Sequence, residues 1–284
     1  MCIRDRPAAA RHLLPDTFRG QLAVVTGGGT GLGLEISRGL AALGATVGIL
    51  SRSAEHHEPF LAEGRERGWR TFARTLDVRE PEDVDRVAAE IAEEHGPAGI
   101  LVNNAAGNFV CPAERMSNRA WRSVLGIVLD GTFYCTRAFG RGMIEAGGGA
   151  VLNVVATYVT TGMPGVVHSA SAKAGVLAMT RTLAAEWARH GIRLNAIAPG
   201  PFETEGASER LWPEEGMRER ILGQVPLGRF AGTGEVAAHC LYLLAPACAY
   251  VTGECLVVDG GLTLGRGFWT EGQAVKRAKP DAPA

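Results

Sequence analysis

Residues 22–33 read Leu22-Ala23-Val24-Val25-Thr26-Gly27-Gly28-Gly29-Thr30-Gly31-Leu32-Gly33. An apolar run is followed at once by a cluster of glycines, and the next residues show the apolar spacing of a helix. In this order of strand, glycines and helix, the glycines let the backbone approach a pyrophosphate at the amino terminus of the helix. A tight strand-to-helix turn without a ligand uses the same glycines, so the elements that follow are needed to distinguish a pyrophosphate site from such a turn.

The rest of the chain alternates between short apolar runs and helical patterns. Strands are predicted at 22–26, 46–50, 71–76, 100–103, 151–155, 193–197 and 255–258. Helices are predicted at 32–43, 54–67, 81–95, 118–146, 169–190 and 233–244. Continuous apolar strands that alternate with helices indicate a buried parallel sheet with right-handed crossovers. We therefore predict an α/β protein with a Rossmann-type, doubly wound parallel seven-stranded sheet, helices on both faces and a single domain.

The bulk composition narrows the class of partner. The chain has 284 residues, 46% of them hydrophobic, and a formal net charge of -1. This near-neutral balance provides no global field for nucleic acid or an anionic membrane, and we expect neither as a partner. The 6 cysteines form no C-x-x-C pair and suit neither a disulfide framework nor a metal site, so no metal is expected.

The two ends of the chain differ from the middle. We expect residues 1–19 to be a loose N-terminal extension, residues 20–270 to form the domain, and residues 271–284 to be a disordered tail. A Glu-, Gly- and Pro-rich stretch at about 200–230 is a candidate lid over the substrate. No apolar run is long enough to span a membrane and no secretory pattern is present, so we expect a cytoplasmic protein.

The end of the second strand indicates which dinucleotide binds. Enzymes that use NAD place an acidic side chain there, whereas enzymes that use NADP place a cation near the 2'-phosphate. This strand ends Leu50-Ser51-Arg52-Ser53 and offers no acid. Arg52 suits a phosphate, so NADPH is the predicted cofactor, although a solvated surface arginine would look the same.

Two further motifs carry a family resemblance. Asn103-Asn104-Ala105-Ala106-Gly107 follows the fourth strand, and Ser169-Ala170-Ser171-Ala172-Lys173 begins the long helix at 169–190. With the glycine motif they resemble the short-chain dehydrogenases/reductases over about residues 21–261, except that Ser169 stands where that family usually has tyrosine. A tyrosine lies upstream, at Tyr158. With Asn108, Phe109 and the run Pro199-Gly200-Pro201-Phe202, the chain resembles the 2,4-dienoyl-CoA reductases within the family.

The resemblance implies a role for each matching residue. Tyr158 and Asn108 would donate hydrogen bonds to the thioester oxygen, Lys173 would hold the nicotinamide ribose, and Ser169 would line the nicotinamide site. The implied cofactor contacts are Gly27, Gly29, Thr30, Gly31, Leu32, Gly33, Arg52, Asp77, Val78, Asn104, Ala105, Lys173, Pro199, Gly200, Pro201 and Phe202. The implied substrate contacts are Arg79, Phe109, Ser117 and Arg210. The resemblance also implies a homotetramer, with the helices at 118–146 and 169–190 pairing between subunits.

The chemistry of a dienoyl thioester agrees with these residue types. Hydride addition drives charge onto the thioester oxygen, which two fixed donors would stabilise. Tyr158 is a protonated donor at neutral pH, and we expect Lys173 to lower its pKa somewhat. A ketone reductase must protonate an alkoxide, for which the hydroxyl of Ser169 is far too weak an acid. Ala156 also lies near the position where carbonyl reducers carry a catalytic serine.

Simpler interpretations of these side chains remain. Tyr158 could be a half-buried packing residue, Asn108 a turn former, and Lys173 a solvated helix residue. His168 has no partner at metal or triad spacing and is taken as structural. The functional alternatives are a trans-2-enoyl-CoA reductase of the same fold and a non-catalytic NADP-binding sensor module.

Overall fold

The computed structural model describes residues 6–203 and 216–264. Its strands are β1 Leu22–Thr26, β2 Thr46–Ser51, β3 Thr71–Thr75, β4 Ile100–Asn103, β5 Gly149–Val154, β6 Ile192–Pro199, β7 Phe202–Glu203, β8 Ala231–Gly232 and β9 Cys255–Val258. Seven of them form one parallel sheet in the order β3-β2-β1-β4-β5-β6-β9. The predicted doubly wound seven-stranded sheet and single domain are confirmed. The pair β7-β8, a separate two-stranded parallel sheet, was not predicted.

Helices cover both faces of the large sheet. They are α1 Gly31–Ala42, α2 Glu58–Arg67, α3 Pro81–His95, α4 Asn118–Leu125, α5 Gly131–Ala146, α6 Tyr158–Thr161, α7 Val167–Trp187, α8 Met217–Leu222 and α9 Thr233–Leu244. Alternate residues of β1 enter opposite cores, as a strand period of two requires. Ala23 and Val25 pack with α1 and α9, whereas Leu22 and Val24 pack with α3 and α5. The apolar run of β1 is therefore explained by burial on both faces.

The order of the strands creates a crevice beside β1. β2 and β3 lie on one side of β1, and β4 with its successors lies on the other. Chain crossovers thus leave β1 in opposite directions, and ligands of open α/β sheets bind at such a point, outside the carboxyl ends of the strands. Thr26 is in register with Asn103. The glycine motif after β1 and the Asn104 motif after β4 therefore meet at the crevice.

The predicted helix at 118–146 is divided into three parts. A π-helical segment, Gly126–Asp130, separates α4 from α5. Glycine and β-branched residues favour the α-helix weakly, and the carbonyl of Val128 accepts the hydroxyl of Thr132 at 2.6 Å. A Cβ atom at Gly131 would lie 2.6 Å from Cγ2 of Val78, so the glycine allows a close approach of the helix backbone there.

Other helix boundaries differ from the prediction for local reasons. The predicted helix at 54–67 becomes a 3-10 turn, Ala54–His56, followed by α2, whose first turn contains proline. The helix predicted to begin at Ser169 begins at Val167 and ends in a 3-10 turn, Ala188–His190. Ser117 caps α4, because its Oγ accepts the N–H of Ala120 at 3.2 Å.

Residues 6–19 pack against the domain, so the expectation of a loose extension was wrong for these residues. Ala9, Ala10 and Phe18 are almost fully buried in the core that α1 and α9 share. The backbone N–H of Phe18 donates to the carbonyl of Leu43 at 2.9 Å. Apolar side chains between the arginines supply enough burial to order this segment. Within the residues that the structure describes, no helix is long and apolar enough to cross a membrane.

Candidate active site

The glycine loop leaves the amino terminus of α1 open to a ligand. Gly31 has a φ of 52°, in the left-handed region that glycine adopts without strain. A Cβ at Gly33 would lie 2.2 Å from the carbonyl oxygen of Gly27, so only glycine allows α1 to pack this close to β1. The N-cap residue Thr30 makes no side-chain cap bond, and the first turn contains no acid. The loop therefore fits an anion such as a pyrophosphate.

The hydroxyl of Thr26 joins the glycine loop to the Asn104 motif. It accepts the backbone N–H groups of Asn104 and Ala105, each at 3.0 Å. The carboxamide of Asn104 donates to the carbonyls of Thr26 and Gly27, each at 3.1 Å. The two motifs thus form one rigid unit. Sequence reasoning missed Thr26, although a buried threonine that closes an apolar run is a detectable signal.

Three charged side chains meet beyond β2 and β3. The guanidinium Nε of Arg79 donates to both carboxylate oxygens of Asp77, at 3.0 and 3.1 Å. This hydrogen bond is the largest cause that lowers the pKa of Asp77, and the charge of Arg52 adds a smaller effect. Arg52 is exposed and, among the described residues, makes no hydrogen bond or ion pair of its own. Asp77 and Arg79 were predicted for different ligands, and the structure pairs them with each other.

Tyr158 and Ser169 form the polar centre of the candidate site. Tyr158 begins α6 and is half-buried, and its hydroxyl lies 2.8 Å from Oγ of the buried Ser169 in α7. Burial raises the pKa of Tyr158, while the hydrogen bond to Ser169 opposes this change. The expectation that Lys173 lowers the pKa of the phenol was wrong. Lys173 is not among the causes of this shift, and its ammonium donates to the carbonyl of Val154.

Lys173 lies one helical turn after Ser169 in α7. Only 7% of Lys173 is exposed, and its ammonium donates to the carbonyl of Val154 at the end of β5. Burial lowers the pKa of Lys173 from 10.5 to about 8. The lysine is therefore fixed at the carboxyl edge of the sheet. Its lowered pKa means that it loses its charge in mildly alkaline solution.

Asn108 and Phe109 come from the loop after β4. Oδ1 of Asn108 accepts the N–H of Phe109 at 2.9 Å, and within the described chain Nδ2 of Asn108 makes no hydrogen bond. The carboxamide is thus anchored through its oxygen and presents its N–H groups as donors. The ring of Phe109 meets the ring of His168 edge to face, with centroids 4.4 Å apart. His168, taken as structural from sequence, is fully buried beside Ser169.

The other predicted contacts have varied surroundings. Pro199 ends β6, and the N–H of Gly200 donates to Val258 at 2.9 Å, which directs Pro201 and Phe202 towards the two-stranded sheet. The side chains of Leu32 and Val78 are buried, so only their backbone can reach a ligand. Gly29 packs against the backbone of His56. Arg210 and the middle of the predicted lid lie outside the described residues.

Metal binding and enclosed cavities do not identify the site. Among residues 6–203 and 216–264, no group of three or more His, Cys, Asp or Glu side chains could hold a metal ion. One cavity of about 400 Å³ lies at the amino ends of the strands, beside Arg193 and Gly148. A second, of about 450 Å³, lies beside β9. Neither is lined by a predicted site residue, so the candidate site is assigned from the side chains at the crevice.

Comparison with known proteins gives relatives of two kinds. A protein of Bacillus subtilis named "Probable 2,4-dienoyl-CoA reductase [(2E)-enoyl-CoA-producing]" is 41% identical, covering 84% of this chain and 94% of its own length. A "Peroxisomal 2,4-dienoyl-CoA reductase [(3E)-enoyl-CoA-producing]" of Pongo abelii is 38% identical, with coverage of 90% and 88%. A "Galactitol 2-dehydrogenase" of Rhizobium johnstonii is 40% identical, with coverage of 86% and 95%. Similarity alone therefore leaves the substrate open.

Solved structures and a family model agree on the fold. A short chain dehydrogenase of Bacillus anthracis is 43% identical, covers 87% of this chain and 98% of its own, and has a TM-score of 0.79. A gluconate 5-dehydrogenase of Burkholderia cenocepacia, in complex with NADP and tartrate, is 33% identical, with coverage of 88% and 98% and a TM-score of 0.83. A family model described as Enoyl-(Acyl carrier protein) reductase matches residues 27–263. This chain belongs to the short-chain dehydrogenase/reductase family of oxidoreductases.

Proposed function

We propose that this protein is an NADPH-dependent reductase of 2,4-dienoyl-CoA thioesters, acting in β-oxidation of unsaturated fatty acids. The observation that carries the proposal is the placement of the Tyr158 hydroxyl 2.8 Å from Oγ of Ser169. The phenol is thus held by a hydrogen bond to Ser169, which stands at the position where a ketone reductase has its tyrosine. Nδ2 of Asn108, which bonds to no described residue, supplies a second donor on the loop after β4.

The proposed reaction needs donors at the thioester oxygen and no strong acid. NADPH, when bound at the crevice, would supply the hydride for the far end of the conjugated double bonds, and negative charge would develop on the thioester oxygen. Tyr158 and Asn108 stabilise this charge as it develops. Water then protonates the dienolate at the carbon next to the thioester, which gives 3-enoyl-CoA and NADP⁺. Protonation at the other end of the enolate gives 2-enoyl-CoA, and the names of the two dienoyl relatives differ on this point.

The raised pKa of Tyr158 supports a role as donor. Burial moves its titration above the ordinary value of 10.0, so the phenol keeps its proton throughout the neutral range. A phenol that must act as a base needs the opposite shift. In this site the hydroxyl can turn from Ser169 to a substrate oxygen and remain protonated.

The cofactor proposal rests on the crevice and on Arg52. The open amino terminus of α1 fits the pyrophosphate. Arg52 lies at the end of β2, where a 2'-phosphate is recognised in this fold, and its guanidinium has no hydrogen bond or ion pair to any described residue. The related gluconate 5-dehydrogenase was crystallised with NADP. Lys173, fixed beside Val154, is proposed to hold the hydroxyls of the nicotinamide ribose.

The remaining contacts and the assembly are part of the same proposal. Coenzyme A phosphates would contact Arg79 and Arg210, and the acyl chain would pass Phe109 and Ser117. We also propose a homotetramer built on α5 and α7, which light scattering of the purified protein tests. Phe133 of α5, 42% exposed, is a large apolar side chain available for such a contact.

A trans-2-enoyl-CoA reductase is the second candidate, favoured by the description of the family model. Galactitol oxidation requires a base that takes the proton of a hydroxyl, and Ser169 lacks the acid strength for the reverse step. The dienoyl-CoA reductase and the enoyl-CoA reductase instead both reduce a C=C bond of a thioester. A non-catalytic NADP-binding sensor module would not require donors at Tyr158 and Asn108.

One set of assays separates these functions. NADPH oxidation is measured with trans-2,trans-4-decadienoyl-CoA, trans-2-decenoyl-CoA and a 3-ketoacyl-CoA, and NADP⁺ reduction is measured with galactitol. We expect selective turnover of the dienoyl thioester. Preference for the decenoyl thioester would select the second candidate, and turnover of galactitol or the ketoacyl thioester would overturn both. Binding of NADPH without hydride transfer to any substrate would indicate the sensor module.

The variant Tyr158→Phe tests the donor directly. We expect kcat with the dienoyl thioester to fall by about 10²-fold, as for loss of one oxyanion donor, with an unchanged Kd for NADPH. Tyr242→Phe is the matched control, because Tyr242 is exposed on α9. Wild-type turnover by Tyr158→Phe would exclude the proposed role of the phenol.

A further inference from the structure

His168 is a buried side chain whose hydrogen-bonding groups are unused. Its exposure is 0%, and neither ring nitrogen has a hydrogen-bond partner of normal geometry within the described structure. A buried polar atom without a partner destabilises the folded chain, because it has given up its hydrogen bonds to water. Burial lowers the pKa of His168, with a smaller opposing effect of the Val166 carbonyl, so the imidazole is neutral at neutral pH. Because the ring is neutral and makes no hydrogen bond of normal geometry within the described structure, any effect on the site has to pass through the side chain that it packs against, Phe109.

Phe109, which His168 contacts, is hydrogen-bonded to the side chain of Asn108. The rings of His168 and Phe109 have centroids 4.4 Å apart and an interplanar angle of 68°, which is an edge-to-face arrangement that aromatic pairs prefer. The backbone N–H of Phe109 donates to Oδ1 of Asn108 at 2.9 Å. A shift of Phe109 therefore moves the anchor of the Asn108 carboxamide.

A backbone hydrogen bond also ties the loop that carries Asn108 to the approach of α7. The N–H of Cys111 donates to the carbonyl of Gly165 at 2.8 Å. This bond fixes the end of the loop beyond Phe109, whereas the ring pair fixes Phe109 itself. His168 is thus the closer of the two ties to Asn108.

Adjacent residues of α7 then hold the two donors of the site. Ser169 holds the hydroxyl of Tyr158 at 2.8 Å, and His168 holds Asn108 through Phe109. We propose that His168 is a positioning residue, whose buried ring fixes Phe109 and thereby the orientation of the Asn108 carboxamide. The first turn of α7 would then set the separation of both donors. The identity of the oxygen that they address rests on the proposed function, whereas the placement of Asn108 does not.

A double-mutant cycle tests the link between His168 and Asn108. We expect His168→Ala to lower kcat for the dienoyl thioester by about tenfold or more, with little change in KM for NADPH. Asn108→Ala should lower kcat by about 10²–10³-fold, as for loss of an oxyanion donor. Because His168 acts through Asn108, the double variant should be no slower than Asn108→Ala within about threefold. Fold losses that multiply in the double variant would overturn the proposal.

Leu183→Ala is the matched control on the same helix. Leu183 is partly buried against the core around α3 and α5, about 22 Å along α7 from His168 at 1.5 Å per residue. We expect it to lower Tm and to leave kcat unchanged. A similar kcat loss in Leu183→Ala at matched Tm would show that general destabilisation of α7 explains the effect. If His168→Ala does not fold, His168→Leu retains most of the volume without the aromatic contact.

Crystal structures of the wild type and of His168→Ala, both without substrate, test the placement independently of turnover. We expect one orientation of the Asn108 carboxamide in the wild type and more than one in the variant. An unchanged, single orientation in His168→Ala would overturn the proposal. Failure of the wild type to reduce the dienoyl thioester would instead reject the proposed function and leave this comparison valid.

Discussion

Arg52 is the residue on which the proposed preference for NADPH rests. It is exposed at the carboxyl end of β2, and its charge reaches Asp77. A charge-assisted bond to a phosphate contributes about 1.5–3 kcal/mol, or roughly 10–100-fold in affinity. We expect Arg52→Ala to raise KM for NADPH by about that factor and to leave KM for NADH unchanged. Steady-state kinetics with both cofactors measure this difference.

The control for Arg52 is Arg86→Ala, which removes an exposed arginine of α3 that pairs with Asp83 and Glu90. It should affect neither KM. Equal losses with NADPH and NADH in Arg52→Ala would show that Arg52 does not read the 2'-phosphate.

Lys173 lies in the candidate site, and the burial of its charge affects the stability of the folded chain. Below about pH 8 it is charged in both the folded and the unfolded chain, and burial of the charge destabilises the folded chain. As the pH rises from about 8 towards 10.5, the folded chain releases this proton while the unfolded chain keeps it. This contribution to the free energy of unfolding therefore increases with pH over that window.

The variant Lys173→Met should consequently be more stable and less active. We expect a higher Tm at about pH 7, a smaller gain at about pH 9.5, and loss of most NADPH turnover, measured by thermal unfolding and by kinetics. A lower Tm at both pH values would mean that the bond to Val154 outweighs the burial of the charge.

At the scale of elements, variants of Ser117 distinguish its role as a helix cap from its proposed role as a substrate contact. Its hydroxyl caps α4 through the N–H of Ala120 at 3.2 Å. We expect Ser117→Ala to lower the free energy of unfolding by about 1 kcal/mol, measured by chemical denaturation. Ser117→Asp keeps the cap but adds a negative charge, so it should preserve stability and raise KM for an acyl-CoA if Ser117 contacts it.

Ser123→Ala serves as the control in α4, because Ser123 donates to the carbonyl of Ala120 and caps nothing. An unchanged KM in Ser117→Asp would restrict Ser117 to capping.

The strands were more predictable from sequence than the irregular elements. The bounds of β1, β4 and β9 agree with the prediction, because strands buried on both faces are apolar runs that polar or glycine residues end. α6 was missed because Tyr158, Val159, Thr160 and Thr161 are typical of strands. Tertiary contacts such as the bond from Tyr158 to Ser169 override that preference.

The candidate site was predictable where motifs are contiguous and unpredictable where contacts are not local. The glycine loop, Asn104, Tyr158 and Ser169 were named from sequence, and the structure brings them to the carboxyl ends of β1, β4 and β5. The role of His168 could not be predicted, since it depends on the ring of Phe109, which a different element supplies. The pairing of Asp77 with Arg79 is local, yet residue types alone did not indicate it.

At the scale of the whole molecule, residues 6–19 form part of the core. Phe18 is 1% exposed, and its backbone is bonded to Leu43 after α1. We expect Phe18→Ala to lower the free energy of unfolding by about 3–5 kcal/mol, measured by urea denaturation. Leu14→Ala is the control, because Leu14 is 79% exposed and its truncation should change little. Equal effects of the two variants would contradict the packing of this segment.

The short sheet of β7 and β8 has a consequence for engineering. Phe202 is in register with Ala231, and Glu203 forms an ion pair with Arg218, so the chain enters and leaves residues 204–215 at fixed points. When the ends of a loop are held by the scaffold, doubling its length costs only about 0.6 kcal/mol of closure entropy. We expect inserts placed between these two anchors to cost little free energy of unfolding for this reason. Such inserts would leave the hydrogen-bonded pair of Tyr158 and Ser169 unchanged.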